Sequence, residues 1–244
     1  MGPSRRRADI LLVERGLFES RAKAQEAIAA GLVSAEGSPV SKASDRLPAD
    51  AAIIAEAPHP WVSRAGVKLA AGLDAFAIDP AGCVCLDLGA STGGFTDVLL
   101  ARGAQRVYAV DVGHGQLHPR LARDARVKSL EGTDARHLTR ALVPEPVGLA
   151  VADVSFISLR LVLPPVLPLL APDATLVALV KPQFEAGRAF VKKGVVRDEA
   201  VHRTVCRETA AFVEALGFKI LGLVPSPILG GDGNREFLIG ARRG

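Results

Sequence analysis

Four side chains in this sequence have the types and settings for proton-transfer chemistry: Lys68, Asp153, Lys181 and Glu236. Asp153 ends an apolar run in Val151-Ala152-Asp153-Val154-Ser155-Phe156, and Lys181 ends another in Leu179-Val180-Lys181-Pro182-Gln183-Phe184. Glu236 lies in Gly233-Asn234-Arg235-Glu236-Phe237, and Lys68 in Ser63-Arg64-Ala65-Gly66-Val67-Lys68-Leu69. Each alone has an ordinary alternative, because most lysines are solvated and one before a proline can simply mark a strand end. Charges flanked by strongly apolar strands are drawn inward, however, and buried charges must be paired. Two lysines and two carboxylates satisfy that pairing and together could deprotonate a hydroxyl such as that of a ribose. A free lysine is a poor base at neutral pH, so such a lysine depends on its neighbours.

A second constellation is Asp87-Leu88-Gly89-Ala90-Ser91-Thr92-Gly93-Gly94-Phe95, which follows an apolar strand and precedes a helix starting near Phe95. Its glycines let the backbone turn tightly and a ligand approach closely. Ser91 stands where a dinucleotide-binding turn has its second glycine, so a pyrophosphate is not the expected ligand. A glycine-rich turn with an acid at its start suits an amino acid attached to a nucleoside. Asp111 ends the next apolar run, where a carboxylate can accept from both ribose hydroxyls. Asp134, in Gly132-Thr133-Asp134, follows the third run, within reach of an adenine amino group. Any one of these acids reads equally as a helix N-cap. Three of them after three successive strands make a series.

The elements that must carry these residues are legible from periodicity. Apolar runs occur at Val84-Leu88, Val107-Val112, Leu149-Val154, Leu176-Val180, Ile220-Val224 and Phe237-Ile239, with a weaker one at Val127-Leu130. Helical segments separate most of them, which predicts an α/β fold with an open, doubly wound, mostly parallel sheet. Ligands of such sheets bind beyond the carboxyl ends of the strands, where the candidate residues fall. Before Ala57-Pro58-His59-Pro60-Trp61 the pattern differs. Ala8 to Glu14 and Arg21 to Ala30 read as helices, the second with Ser20 as N-cap and Gly31 at its end. Short strands are expected at Leu32-Val33, Val40 and Ala51 to Ala55, with a turn at Glu36-Gly37-Ser38-Pro39. The expected organisation is a small α+β domain at 1–57, a linker at 58–62 and a larger domain at 63–244.

The net charge of +4 is compatible with a polyanionic partner. Residues 1–58 carry eight basic and eight acidic side chains, so that segment is neutral as a whole. Few aromatics argue against a broad stacking platform. Three cysteines make no disulfide framework, and a reducing cytoplasm is expected. Cys83 and Cys85 read as small buried hydrophobes rather than metal ligands, and no metal is expected. The longest apolar stretch, Leu159 to Leu170, contains Arg160 and three prolines, and neither a secretory signal nor a membrane span is expected.

On these residues the chain resembles the TlyA family, described both as haemolysin A-like proteins and as rRNA 2′-O-methyltransferases. Arg7-Ala8-Asp9, Leu12, Gly16, Ser20-Arg21, Ala24, Ile28 and Gly31-Leu32-Val33 are similar to the S4 RNA-binding domain. The remainder resembles FtsJ-like methyltransferases, through Ser63-Arg64-Ala65-Gly66, Lys181-Pro182-Gln183-Phe184-Glu185 and Lys193-Gly194-Val195-Val196-Arg197-Asp198. The family's Lys-Asp-Lys-Glu tetrad falls on Lys68, Asp153, Lys181 and Glu236. The resemblance implies a Rossmann-like class I methyltransferase fold of about seven strands, with S-adenosylmethionine held by Asp87, Gly89, Ala90, Ser91, Thr92, Gly93, Gly94, Phe95, Asp111 and Asp134. It further implies 2′-O-methylation of cytidine in bacterial ribosomal RNA. For the chemistry we expect Lys181 as base, Asp153 and Lys68 positioning the hydroxyl and tuning that lysine, and Glu236 orienting the lysines. Ribosomal RNA or ribosomal subunits become the expected partner, and the oligomeric state, monomer or weak dimer, is left open. Phosphate contacts are expected from Arg5, Arg6, Arg7, Arg21, Lys23 and Arg64. Lys192, Lys193 and Arg197 are expected on a loop able to close over RNA. The turn Gly230-Gly231-Asp232-Gly233-Asn234 departs from the more basic turn expected there. A non-enzymatic RNA-binding factor would not need the acidic series. A pore former would need amphipathic or spanning segments that are not found. An N-methyltransferase would carry Asn/Asp-Pro-Pro-Tyr where Asp153-Val154-Ser155-Phe156 stands.

Overall fold

The computed structural model describes residues 4–244, which divide into two compact units with the boundary between Pro60 and Trp61. In the first, β1 (Arg5–Arg7) leads into α1 (Ala8–Glu14) and α2 (Arg21–Ala29), followed by β2 (Val33–Ala35), β3 (Ser38–Pro39), β4 (Arg46–Pro48) and β5 (Ile53–Ala55). The Ser20 hydroxyl caps α2 by accepting from Lys23 N at 3.3 Å. β3, β2 and β5 form one small antiparallel sheet, and β1 pairs with β4 in another. Ala8, Leu12, Phe18, Ala24, Ala27, Ile28 and Val33 build the core between helices and strands.

The second unit begins with α3 (Ala65–Ala75) and continues through β6 (Val84–Leu88), α4 (Gly94–Ala101), β7 (Arg106–Asp111), α5 (Pro119–Ala122), β8 (Val127–Glu131) and β9 (Val147–Ala152). It ends with α6 (Leu159–Val166), β10 (Leu170–Val180), α7 (Pro182–Glu185), α8 (Glu199–Ala215), β11 (Phe218–Pro225) and β12 (Phe237–Arg243). Trp61 and Val62, placed in the connector by the sequence, pack into this unit, and Val62 N donates to buried Asp97 at 2.9 Å.

The seven strands lie in the order β11-β12-β10-β9-β6-β7-β8. The five from β10 to β8 are parallel, and β12 runs antiparallel between β10 and β11. Successive side chains alternate between the two faces. Leu86, Leu88, Leu176, Ala178 and Val180 therefore meet α6 and α8 in one core. Cys85, Val177 and Leu179 meet Leu69, Leu73, Val98 and Leu99 of α3 and α4 in the other. Strand order reverses between β6 and β9, so the two loops leaving their carboxyl ends are adjacent and leave a crevice.

Candidate active site

Gly89 leaves β6 at φ +82°, a left-handed conformation that side chains other than glycine's rarely adopt. A Cβ at this position would lie 2.7 Å from the Asp153 carbonyl oxygen. The glycine therefore lets the turn after β6 touch the loop after β9, where two cavities meet. One, of about 450 Å³, is lined by Asp111, Val112, Gln116, Thr133, Asp134 and Ala135. The other, of about 410 Å³, contains Lys68, Asp153, Lys181 and Glu236 in its wall. Gly89, Ser91, Asp153, Ser155 and Phe156 line both.

The four tetrad residues thus come together from α3, the end of β9, the end of β10 and the approach to β12. They form two ion pairs. Lys68 Nζ lies 2.5 Å from Glu236 Oε2, both side chains being buried. Lys181 Nζ lies 2.6 Å from Asp153 Oδ1, off the line of a hydrogen bond, and donates to Ser155 Oγ at 2.9 Å. Glu236 is paired with Lys68 alone among the described ion pairs, rather than bridging both lysines. A Cβ at Gly230 would overlap the Glu236 carboxylate, so glycine there makes room for the acid.

In the glycine-rich segment, Gly89, Ala90, Ser91, Thr92 and Phe95 reach the second cavity, whereas Gly93 and Gly94 form the turn into α4. Asp111 accepts from Ser91 N at 2.7 Å and Gly113 N at 2.8 Å, which aims its carboxylate along the first cavity. Asp134 caps the helical turn Ala135–His137 and binds the Arg136 guanidinium, with Nη2 2.6 Å from Oδ2. These bonds, the Arg136 side chain foremost, hold its carboxyl down at about 2. The capping alternative therefore holds for Asp134, although it also lines the cavity.

Asp87 lies behind the turn, fully buried and on neither cavity wall; its Oδ2 accepts from Thr96 Oγ1 at 2.6 Å. Burial pushes its carboxyl up to about 7, the Thr96 hydrogen bond opposing only in part. Between about pH 4 and 7 the folded chain then binds more protons at Asp87 than the unfolded chain, so stability falls as pH rises through that window. Asp87→Asn is expected to gain stability relative to the parent over the same window; urea midpoints at either end that shift in parallel would contradict this.

The N-terminal basic residues are largely engaged within their own unit. Arg7 makes a two-pronged bond to fully buried Asp9, which also accepts from Arg21 at 2.8 Å and Gln25 at 2.8 Å. The Arg7 and Arg21 guanidiniums hold the Asp9 carboxyl well below the usual range. Arg5 donates to Arg46 O at 2.7 Å, Arg6 lies 3.7 Å from Glu14, and Lys23 lies 3.9 Å from Glu19. Arg64, Lys192, Lys193 and Arg197 are exposed on the second unit.

Three functional candidates were missed by the sequence. Ser155 is the hydroxyl on Lys181. Phe156 is 92% exposed, is held at φ +63° and leans on Phe184 with ring centroids 5.2 Å apart. Asn234 is buried in the wall of the second cavity. The signal for the first two was their place directly after Asp153.

Residues 61–243 match the FtsJ-like methyltransferase family and residues 6–53 the S4 domain. The 16S/23S rRNA (cytidine-2′-O)-methyltransferase TlyA of Mycobacterium tuberculosis is 45% identical over 241 residues, 98% of this chain and 90% of that protein. Hemolysin A of Brachyspira hyodysenteriae is 39% identical over 234 residues, 95% of this chain and 98% of that one. A solved structure of a candidate hemolysin from Streptococcus thermophilus superposes with a TM-score of 0.78 at 40% identity, covering 100% of this chain and 90% of that chain. No helix among the described residues is long and apolar enough to cross a membrane. The chain belongs to the FtsJ-like methyltransferases and, with its S4 domain, to the TlyA family among them.

Proposed function

We propose that this chain transfers a methyl group from S-adenosylmethionine to the 2′-oxygen of a cytidine in ribosomal RNA. The observation that carries the reading is the junction of two cavities at Gly89, Asp153 and Ser155, one ending on a ribose-type acid and the other on the Lys-Asp-Lys-Glu set. The TlyA relative, whose own substrate is cytidine in rRNA, supplies the choice of acceptor. The residues fit the cofactor. Asp111 faces the first cavity with its carboxylate fixed by two backbone donors, and Val112, Ala135, Val154 and Ile157 offer an apolar slot for a nucleobase. Gly89, lacking a Cβ, lets the turn after β6 pack directly on the Asp153 backbone where the two cavities meet.

When bound, S-adenosylmethionine supplies an electrophilic methyl group on a sulfonium. The remaining chemistry belongs to the side chains. Lys181 Nζ takes the proton of the ribose hydroxyl, for which the amine must be neutral at that moment. Asp153, 2.6 Å away, stabilises the ammonium that results. Lys68, held by Glu236, adds positive charge where the oxygen becomes anionic. Holding that oxygen in line with the methyl group contributes much of the rate.

Phe156 offers its ring face to an unstacked base. A non-glycine residue at positive φ costs on the order of 1–3 kcal/mol, and such strain is kept mainly at functional positions. With base–aromatic stacking worth about 1–3 kcal/mol, Phe156→Ala is expected to lower kcat/KM for RNA about tenfold or more. Retention of parental kcat/KM would remove the ring from the acceptor site.

The test of the function is transfer of radiolabelled methyl to bacterial ribosomal subunits lacking the modification, followed by nucleoside analysis. Label in 2′-O-methylcytidine is expected. Label in a methylated base, or none despite cofactor binding, would overturn the acceptor assignment.

A further inference from the structure

The segment after α7 is tied into a hairpin. Lys192 N donates to Val195 O and Val195 N to Lys192 O, both at 3.0 Å, across Lys193 at φ +51° and Gly194 at φ +78°. Two central residues in the left-handed region define the tight turn that matches the twist of paired strands. Lys192 and Lys193 are exposed on it. One side chain fastens this hairpin to the turn preceding β12. Asn234 Oδ1 accepts from Val196 N at 3.2 Å, and its Nδ2 donates to Gly194 O at 3.0 Å. The Asn234 carbonyl accepts from Gly230 N at 2.8 Å, closing its own turn. From behind, buried His202 donates through Nε2 to Val196 O at 2.9 Å. Two residues beyond Asn234 stands Glu236, already paired with Lys68. Val191, Gly194, Asp232, Asn234 and Glu236 all line the catalytic cavity.

We propose that Asn234 is a positioning residue that fixes the basic Lys192-Lys193 hairpin, and with it the phosphate backbone of bound RNA, against the Lys68–Glu236 pair. The proposal rests on the reading of RNA as acceptor. Its logic is geometric. An exposed cationic hairpin holds phosphates wherever it happens to lie, and that carries no information about the reacting oxygen. A buried amide bonded to the turn of the hairpin at Gly194 and to the strand leaving it at Val196, and continuous with the Glu236 backbone, turns that contact into a fixed spacing. Misplacement by about 1 Å can cost on the order of a hundredfold in rate.

The test is a double-mutant cycle in the full chain, with methyl transfer to ribosomal subunits as readout. Lys192→Ala/Lys193→Ala is expected to raise KM for the subunits about tenfold, through lost phosphate contacts. Asn234→Ala is expected to lower kcat about tenfold or more, with cofactor affinity within about twofold of parent. In the Asn234→Ala background the lysine substitutions should raise KM by less than about threefold, because the hairpin no longer presents them in register. Asn234→Asp keeps the acceptor for Val196 N and loses the donor to Gly194 O, so it should fall between, and it carries the test should the alanine variant fold poorly. Lysine effects of equal size in both backgrounds, or a parental kcat in Asn234→Ala, would overturn the proposal. Should the parent itself transfer no methyl to RNA, the acceptor reading fails. Amide exchange at Val196 then decides the clasp: slow in the parent and fast in Asn234→Ala supports it, and equal rates overturn it.

Discussion

Lys181→Ala is expected to lower kcat for methyl transfer by about 10²–10⁴, the range that a positioned acid–base group contributes. Lys181 lines the second cavity and touches both Asp153 and the Ser155 hydroxyl, two residues that line both cavities. Its removal also leaves the Asp153 carboxylate without its cation, and the folded unit is expected to lose stability on that account. Lys181→Arg separates the two effects. A guanidinium restores the pair but cannot give up its proton in a protein, so stability should recover while turnover does not. A Lys181→Arg variant with near-parental kcat would show that this position supplies charge and not proton transfer.

The second large effect is expected at Glu236. Its carboxylate lies 2.5 Å from Lys68 Nζ with both groups out of solvent. Removing one partner of a buried pair costs about 3–5 kcal/mol, since the other charge is left uncompensated. For a unit of this size Glu236→Ala should lower Tm by roughly 10 °C, read by calorimetry. Replacing both partners, as Lys68→Met with Glu236→Leu, should recover much of the lost stability because two apolar side chains leave no unpaired charge. Activity should stay low in the double variant. Recovery of stability together with turnover would mean that the pair is a structural fixture and takes no part in the reaction.

How much of this was legible in the sequence depends on what kind of physics fixed each residue. The strands β6, β7, β9 and β10 announce themselves as runs rich in Val, Leu and Ala because both of their faces are largely buried, and Asp111, Asp153 and Lys181 could be placed at strand ends by counting. The edges were less clear. β12 extends to Arg243 rather than stopping at Ile239, since backbone pairing with β10 and β11 continues where the side chains turn basic. Pairing of β1 with β4 went unread because three consecutive arginines carry no strand pattern. The two-pair arrangement of the tetrad was also out of reach, being set by which strand lies beside which. Phe156 shows the limit most plainly. Its left-handed backbone sits just before the start of α6, which is held from afar: Ser158 Oγ and Leu159 N both donate to Glu185, at 2.5 and 2.8 Å, across 27 and 26 residues of chain. Asn234 likewise gains its meaning from partners 38 and 40 residues distant.

The placement of β12 has a bearing on how the protein comes into being. A ribosome delivers a chain in one direction, and Lys68 emerges 168 residues before the acid that neutralises it. During that interval β11 has no neighbour to join, because the strand that links it to β10 has yet to be made. Until then Lys68 has no Glu236 to pair with. Contacts of such long sequence separation form late and slowly. The N-terminal unit, whose strands and helices close within their first sixty residues, is under no such delay. A chain halted before β12 therefore carries Lys68, Asp153 and Lys181 but not the acid that pairs with Lys68, and is expected to fall short of full turnover.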